Sequence, residues 1–363
     1  MNEKKLKICV YAICKNEEKF AARWAKSMNE ADCVVALDTG SDDNTINILK
    51  DNGVYVEQKI ISPWRFDVAR NESMKLIPLD TDVCVCTDLD EVFESGWRHK
   101  LEKSWQPQTT SARYRYTWNF NPDGSEGTVF MIEKIHKYGC FKWINPVHEV
   151  LKYEGDAPQS SVTVQGMQLN HFADDLKSRA QYLPLLELAV SEDPQNDRNM
   201  HYLGREYMFK GRWNDAIRTL ERHLQMKSAV WRDERCASMR FIARCKEKLG
   251  DVSGAKIWLH KAIAEAPHLR EPYIDQAYLM YRLSEWYGVI YFAEEALKIK
   301  KRPTSYICEA AAWGSDPYDM LSIAYYHTGD YKKALEMCKN AVLMSPENER
   351  IKNNLQFFET KTI

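Results

Sequence analysis

Residues Asp82 to Glu91 read DVCVCTDLDE, a short apolar run that breaks abruptly into carboxylates. Such a run reads as a buried strand. Its carboxyl end then delivers Asp88 and Asp90, at i and i+2, toward one ligand. Mg2+ and Mn2+ take oxygen ligands and can bridge a carboxylate to phosphate oxygens, so the pair is a candidate metal site. A polar turn closing a strand would use the same residue types.

Upstream, Lys7 to Ile13 (KICVYAI) predicts a strand, followed by polar CKNEE and an amphipathic stretch from Lys19 to Met28. Cys33 to Leu37 predicts a second strand that ends in DTGSDDNT, with helix over Thr45 to Asp51. Val54 to Gln58 is a third short strand and Asp67 to Leu76 a helix. Strands alternating with helices at this spacing predict an α/β domain with a mostly parallel sheet covered on both faces. Such sheets bind ligands beyond the carboxyl ends of their strands, where the polar loops fall. In LDTGSDDNT, Gly40 permits a tight backbone and Asp43 or Asn44 can cap the next helix. The same carboxylates could accept hydrogen bonds from a nucleotide base or ribose.

From about Asp174 the pattern changes to helices alone, and segments of similar composition recur. One unit holds Leu203, Gly204, Tyr207, Gly211, Trp213, Ala216 and Leu220; the next holds Gly250, Ala255, Leu259, Ala262 and Pro267. A degenerate unit follows around Ser284, Trp286, Ala293 and Ala296, and a last one around Gly329, Tyr331, Ala334, Ala341 and Pro346. Aligning the turns at Gly211, Gly250, Ser284 and Gly329 gives steps of 39, 34 and 45 residues. The units resemble tetratricopeptide repeats, in which small residues let paired helices approach and no unit can bury its apolar face alone. The expected domains are residues 1–173 (α/β) and 174–363 (all-α).

The chain of 363 residues is long enough for two cores, and a net charge of -2, from 50 basic and 52 acidic residues, gives no footprint for a nucleic-acid partner. The N-terminus runs into charge too early for a signal peptide or membrane span, so a cytoplasmic protein is expected. Ten scattered cysteines without zinc-site spacing read as reduced, buried thiols.

Taken in order, CKNEE, LDTGSDDNT, FDVARNESM and CTDLDEVF resemble the family 2 glycosyltransferases of GT-A fold, over roughly residues 7–172. The resemblance implies a Rossmann-like catalytic domain that uses Mn2+ or Mg2+ and a UDP-sugar, with UDP-glucose and UDP-N-acetylglucosamine the leading donors. It places Asn16, Glu17, Asp38, Ser41 and Asp43 in the nucleotide pocket, and Arg70, Asn71 and Asp88 near the donor. DTGSDDNT stands where DDGSTDNT is usual, which leaves Asp42 and Asp43 both open. Asp88 and Asp90 would be the metal-binding pair. His171 is the first choice for a further ligand and His148, in PVHEV, the second; a histidine held by core hydrogen bonds is the plainer account of either.

An inverting transfer needs a carboxylate to deprotonate the acceptor. Glu149 is the candidate base and Glu91 the alternative, and Trp64, Trp97, Trp118 and Trp143 could stack on sugars or pack in the core. The repeats would present a protein or peptide acceptor; polysaccharide or lipid-linked acceptors, stabilisation and homodimer formation are alternatives. A catalytically inactive sugar-nucleotide scaffold is the competing class. A nucleotidyltransferase would carry a Gly-rich basic phosphate loop, which CKNEEKF is not.

Overall fold

A computed structural model describes residues 5–121, 124–174 and 180–361. The chain divides into two compact units, Met1–Ala189 and Val190–Ile363, later than the change of pattern at Asp174. Among the described residues, no helix is long and apolar enough to cross a membrane. All ten cysteines are free thiols, eight of them buried.

The first unit begins β1 (Ile8–Cys14), α1 (Glu18–Met28), β2 (Cys33–Asp38), α2 (Thr45–Asp51), β3 (Tyr55–Gln58), α3 (Phe66–Met74) and β4 (Val83–Cys86), close to the alternation expected. It continues through β5 (Glu91–Phe93), α4 (Trp97–Ser104), β6 (Ser111–Thr117), β7 (Val129–Lys137), β8 (Phe141–Ile144), β9 (Val150–Tyr153), β10 (Ser161–His171) and the start of α5 (Tyr182–Glu192). Eight strands form one sheet in the order β3-β2-β1-β4-β7-β6-β10-β5, while β8 and β9 pair separately.

The sheet is mixed but mostly parallel, as expected: six of its eight strands run one way, and β7 and β5 run against them. The strands β3, β2, β1 and β4 run parallel, but β7 lies antiparallel to both β4 and β6, and β5 is antiparallel to β10. The physical reason is connection length: β6 and β7 follow one another without the crossover helix that a parallel pair needs. Alternate residues of β1 fill the two faces. Ile8, Val10 and Ala12 pack with Phe20, Trp24 and Met28 of α1, while Cys9 and Tyr11 pack with Ile77, Cys84 and Trp143.

The second unit is a run of antiparallel helix pairs. These are α6 (Asp197–Phe209) with α7 (Trp213–Gln225), α8 (Arg232–Lys248) with α9 (Val252–Glu265), α10 (Glu271–Arg282) with α11 (Trp286–Lys298), and α12 (Asp316–His327) with α13 (Tyr331–Met344). Helix α14 (Glu349–Lys361) follows the last pair. The four turns fall at the aligned positions, and Gly211, Gly250, Ser284 and Gly329 all take positive φ. The small residues Ala216, Ala255, Ala293, Ala296, Ala334 and Ala341 are all buried, as close helix packing requires. At Gly204 a Cβ would stand 2.5 Å from Leu220 Cγ, so α6 and α7 meet there with no room for a side chain. Asn196, Asp251 and Asp330 each accept from a backbone N–H three residues on, capping α6, α9 and α13.

Candidate functional site

The chain passes outward from β1 to β3 and returns to β4 on the other side of β1, so the order reverses between β1 and β4. A crevice for ligand is expected beyond the carboxyl ends at such a point. Three polar segments end there: CKNEE after β1, DTGSDDNT after β2 and TDLDE after β4. Asp38 is adjacent to Cys14 in register, and Thr87 N donates to Tyr11 O at 3.2 Å.

The first two segments fold onto each other. Asn16 N donates to Ser41 Oγ at 2.9 Å, Asp42 N to Asn16 Oδ1 at 3.0 Å and Glu17 N to Thr45 Oγ1 at 2.7 Å. Asp38 is fully buried, and its Oδ1 accepts from Gly40 N and Ser41 N, each at 3.0 Å, and from Gln58 Nε2 at 3.1 Å. It therefore shapes the loop from inside. Gly40 is needed on two counts, a φ of 112° and a Cβ position 2.6 Å from Ile60 Cδ1. Asp43 accepts from Thr45 N at 3.0 Å and Glu18 N at 3.2 Å. Against the cost of burial, these bonds and the Thr45 hydroxyl hold its carboxyl below the ordinary value. Asp42 is exposed, as is Asn16, while Glu17 is buried and Ser41 half-buried.

The third segment is anchored by Trp24, whose Nε1 donates to Thr87 Oγ1 at 2.9 Å. Beyond it lies a chain of ion pairs. Arg70 of α3 donates from Nε to Glu149 Oε1 and from Nη2 to Asp88 Oδ1, the latter at 2.8 Å. Lys134 of β7 donates to Asp88 Oδ2 and to Glu91 Oε1, both at 3.0 Å. Glu91, only 1% exposed, also accepts from Tyr116 Oη and from Asp88 N, each at 2.8 Å. Burial pushes the Glu91 carboxyl up; desolvation acts the same way on the half-buried Asp88, yet Arg70 and Lys134 hold it well below the carboxylate range.

Next to this chain stand Asp90 and His171. The antiparallel pairing of β5 with β10 sets Glu91 opposite His171, and Phe172 N donates to Asp90 O at 2.8 Å. His171 Nε2 then lies 3.5 Å from Asp90 Oδ2, and His171 Nδ1 lies 2.7 Å from Trp118 O. A carbonyl can only accept, so Nδ1 carries the proton and the neutral ring offers a lone pair at Nε2. A metal-binding histidine is commonly oriented in this way. Burial alone would lower the affinity of this ring for a proton, but the hydrogen bond and charge of Asp90 raise its pKa above 6.5.

The expected ligand set of Asp88, Asp90, His171 and His148 does not close. Among the described residues, no third His, Cys, Asp or Glu joins Asp90 and His171 within a mutual 4.8 Å. Both Asp88 oxygens accept from cations, and His148 sits in the connection from β8 to β9, its ring 5.8 Å from that of Tyr182. Asp90 and His171 are the pair the fold brings together, and their imidazole nitrogen and carboxylate suit Mn2+ better than all-oxygen Mg2+.

The expected bases are differently placed as well. Glu91 is buried and accepts from Lys134, Tyr116 and a backbone N–H, which ties it into the ion-pair chain. Glu149 is paired to Arg70. Asn71 spends its amide on the backbone of Trp143, donating to O at 2.8 Å and accepting from N at 2.9 Å, and is thereby structural. Trp97 and Trp143 are core residues and Trp64 is half-buried. Trp118 is 44% exposed and stacks on His171 with centroids 4.6 Å apart, so it is the tryptophan available to a sugar beside the pair. Nothing in VFMIEKIHK sets Lys134 apart from Lys137, so its place in the site is not readable from sequence.

Comparison with known proteins bears on the helical half. Residues 274–361 match the prolyl 4-hydroxylase peptide-substrate-binding domain. A segment of 43 residues is 44% identical to prolyl 3-hydroxylase 2 of Mus musculus, covering 12% of this chain and 6% of that protein's length. Among solved structures, Pseudomonas aeruginosa pilF is similar at 13% identity and a TM-score of 0.38, covering 49% of this chain and 72% of its own. YrrB, described as a TPR protein with an unusual peptide-binding site, is similar at 15% identity and a TM-score of 0.36, covering 48% of this chain and 81% of its own. The chain is thus a mixed-sheet domain followed by an array of tetratricopeptide-like repeats.

Proposed function

We propose that the chain is a metal-dependent glycosyltransferase of GT-A type that moves a sugar, glucose or N-acetylglucosamine, from a UDP-sugar to a protein or peptide side chain with inversion. The observation that carries this reading is the charge balance at the strand ends. Arg70 and Lys134 pair with Asp88, Glu91 and Glu149, and Asp90 stands beside His171, so four carboxylates meet two fixed cations, an excess of two negative charges when all are ionised. That excess is the charge of one divalent cation, and Asp90 with His171 is where it would be held.

When bound, Mn2+ would offset charge on the departing diphosphate. Asn16, Ser41 and Asp42, exposed or half-buried on the folded loops, bind and orient the nucleotide. Trp118 offers its face to the sugar. Arg70 positions Glu149 and Asp88 through one guanidinium, and Glu149 takes the acceptor proton through the oxygen that Arg70 Nε leaves. The repeats recruit the acceptor polypeptide, a use supported by the match of residues 274–361 to a peptide-substrate-binding domain.

The first test is a thermal-shift screen of nucleotide-sugars with and without Mn2+, since a ligand that binds only the native state raises its apparent stability. A shift confined to one UDP-sugar with metal is the expected result. No shift with any donor, and no release of nucleoside diphosphate, would leave the chain a binding scaffold.

A further inference from the structure

The second unit holds a separate group of titratable side chains that the proposed transfer does not use. Asp197 and His201 are four residues apart on α6, and Glu234 and Ser238 are four apart on α8, so each pair shares a helix face. His223 comes from α7. His201 and His223 are fully buried and Glu234 nearly so, while Asp197 is partly exposed. Ligand atoms of Asp197, His223 and Glu234 lie within 4.8 Å of one another, the sole such group of three among the described residues.

Two features of this group point to a missing ligand. The Nε2 atoms of both His201 and His223 are buried without a hydrogen bond. His223 Nε2 is 3.4 Å from Glu234 Oε1 but too poorly aligned to be bonded to it. Ser238 Oγ lies 2.8 Å from His201 Nδ1 and 2.9 Å from His223 Nδ1. A hydroxyl has one proton, so it donates to one neutral ring and accepts from the other. The ring it accepts from presents a bare lone pair at Nε2.

We propose that Asp197, His223 and Glu234 form a Zn2+ site that ties α6, α7 and α8 together, with water as the fourth ligand. Two carboxylates and one neutral imidazole balance a divalent cation, and the nitrogen donor disfavours Mg2+ and Ca2+. Tetrahedral zinc with ligands at 2.0–2.2 Å sets donor atoms about 3.4 Å apart, the His223–Glu234 separation. Asp197, at the open side, closes the remaining distance by rotation. Ser238 then acts as the positioning residue, accepting from His223 Nδ1–H so that Nε2 faces the ion.

The test uses the full chain, stripped by chelator, incubated with Zn2+ alone, desalted and assayed for bound metal. An Asp90→Asn/His171→Gln chain removes the pair in the first unit and is expected to retain one equivalent. His223→Gln is expected to lose it, and Ser238→Ala to bind about 10–100-fold more weakly. Absence of zinc from the Asp90→Asn/His171→Gln chain, or its retention by His223→Gln, overturns the proposal. Should His223→Gln fail to fold by circular dichroism, the partly exposed Asp197→Asn replaces it, and retention of zinc there overturns the proposal equally.

Discussion

The two units place their buried charge differently. In the sheet unit the charged groups stand at strand ends, contributed by α3, β7 and the segments after β4 and β8, and are linked through Arg70 and Lys134 into one chain of ion pairs. In the helical unit, His201, His223, Glu234 and Ser238 sit on three successive helices, where the repeat stacking itself brings them together. The first arrangement depends on long-range strand pairing and serves a site open at one edge. The second is assembled from neighbours in sequence and is closed in among packed helices.

This contrast can be broken most severely at Lys134. Replacing it by Met leaves Asp88 and Glu91 facing each other with one cation removed, and should cost roughly 3–5 kcal/mol of stability, as for other broken buried pairs. Denaturant unfolding checks this, and an unchanged midpoint would mean that water screens the cluster.

In the helical unit the matching perturbation is steric. Gly204→Ala drives a Cβ against Leu220 and should cost about 1–3 kcal/mol. The loss should appear in helical unfolding by circular dichroism while nucleotide-dependent shifts persist.

The pH dependence sharpens the comparison further. The folded pKa of His171 lies above 6.5, so its contribution to stability is full at low pH and lost as pH rises through the raised value. Affinity for Mn2+ has the opposite sign, because the metal needs the neutral ring. It should rise about tenfold per pH unit below the His171 pKa and then level off, measurable by titration calorimetry. A flat profile would remove His171 as a ligand.

The smallest effect is expected at Ser284, a non-glycine turn residue with φ 57°. Ser284→Gly should stabilise the chain by about 0.5–1 kcal/mol, since the glycine adopts this conformation without a Cβ penalty. A thermal melt checks it.

The helical unit was the more legible of the two in sequence. Its turns at Gly211, Gly250, Ser284 and Gly329 and its small residues recur at fixed places, and the contacts they make are local. The first four strands were legible for a similar reason, as short apolar runs ending in polar loops. The later strands were not, because the insertion of β7 between β4 and β6 joins residues far apart in the chain. The candidate site divides along the same line. Asp90 and His171 were legible through motif and position, and their approach is made by the pairing of β5 with β10. The capture of Asp88 by Arg70 and Lys134, the burial of Glu91 and the spending of Asn71 on Trp143 needed the third dimension. The buried group of Asp197, His223 and Glu234 announced nothing in sequence, since its members lie on three helices.

The most direct test of the central claim is release of UDP from UDP-glucose and UDP-N-acetylglucosamine, with Mn2+ and a candidate peptide acceptor, by the wild-type chain and by Asp90→Asn. The account predicts metal-dependent release by the wild type and none above background by the variant, with the fold retained by circular dichroism. Equal release by the two chains would contradict it.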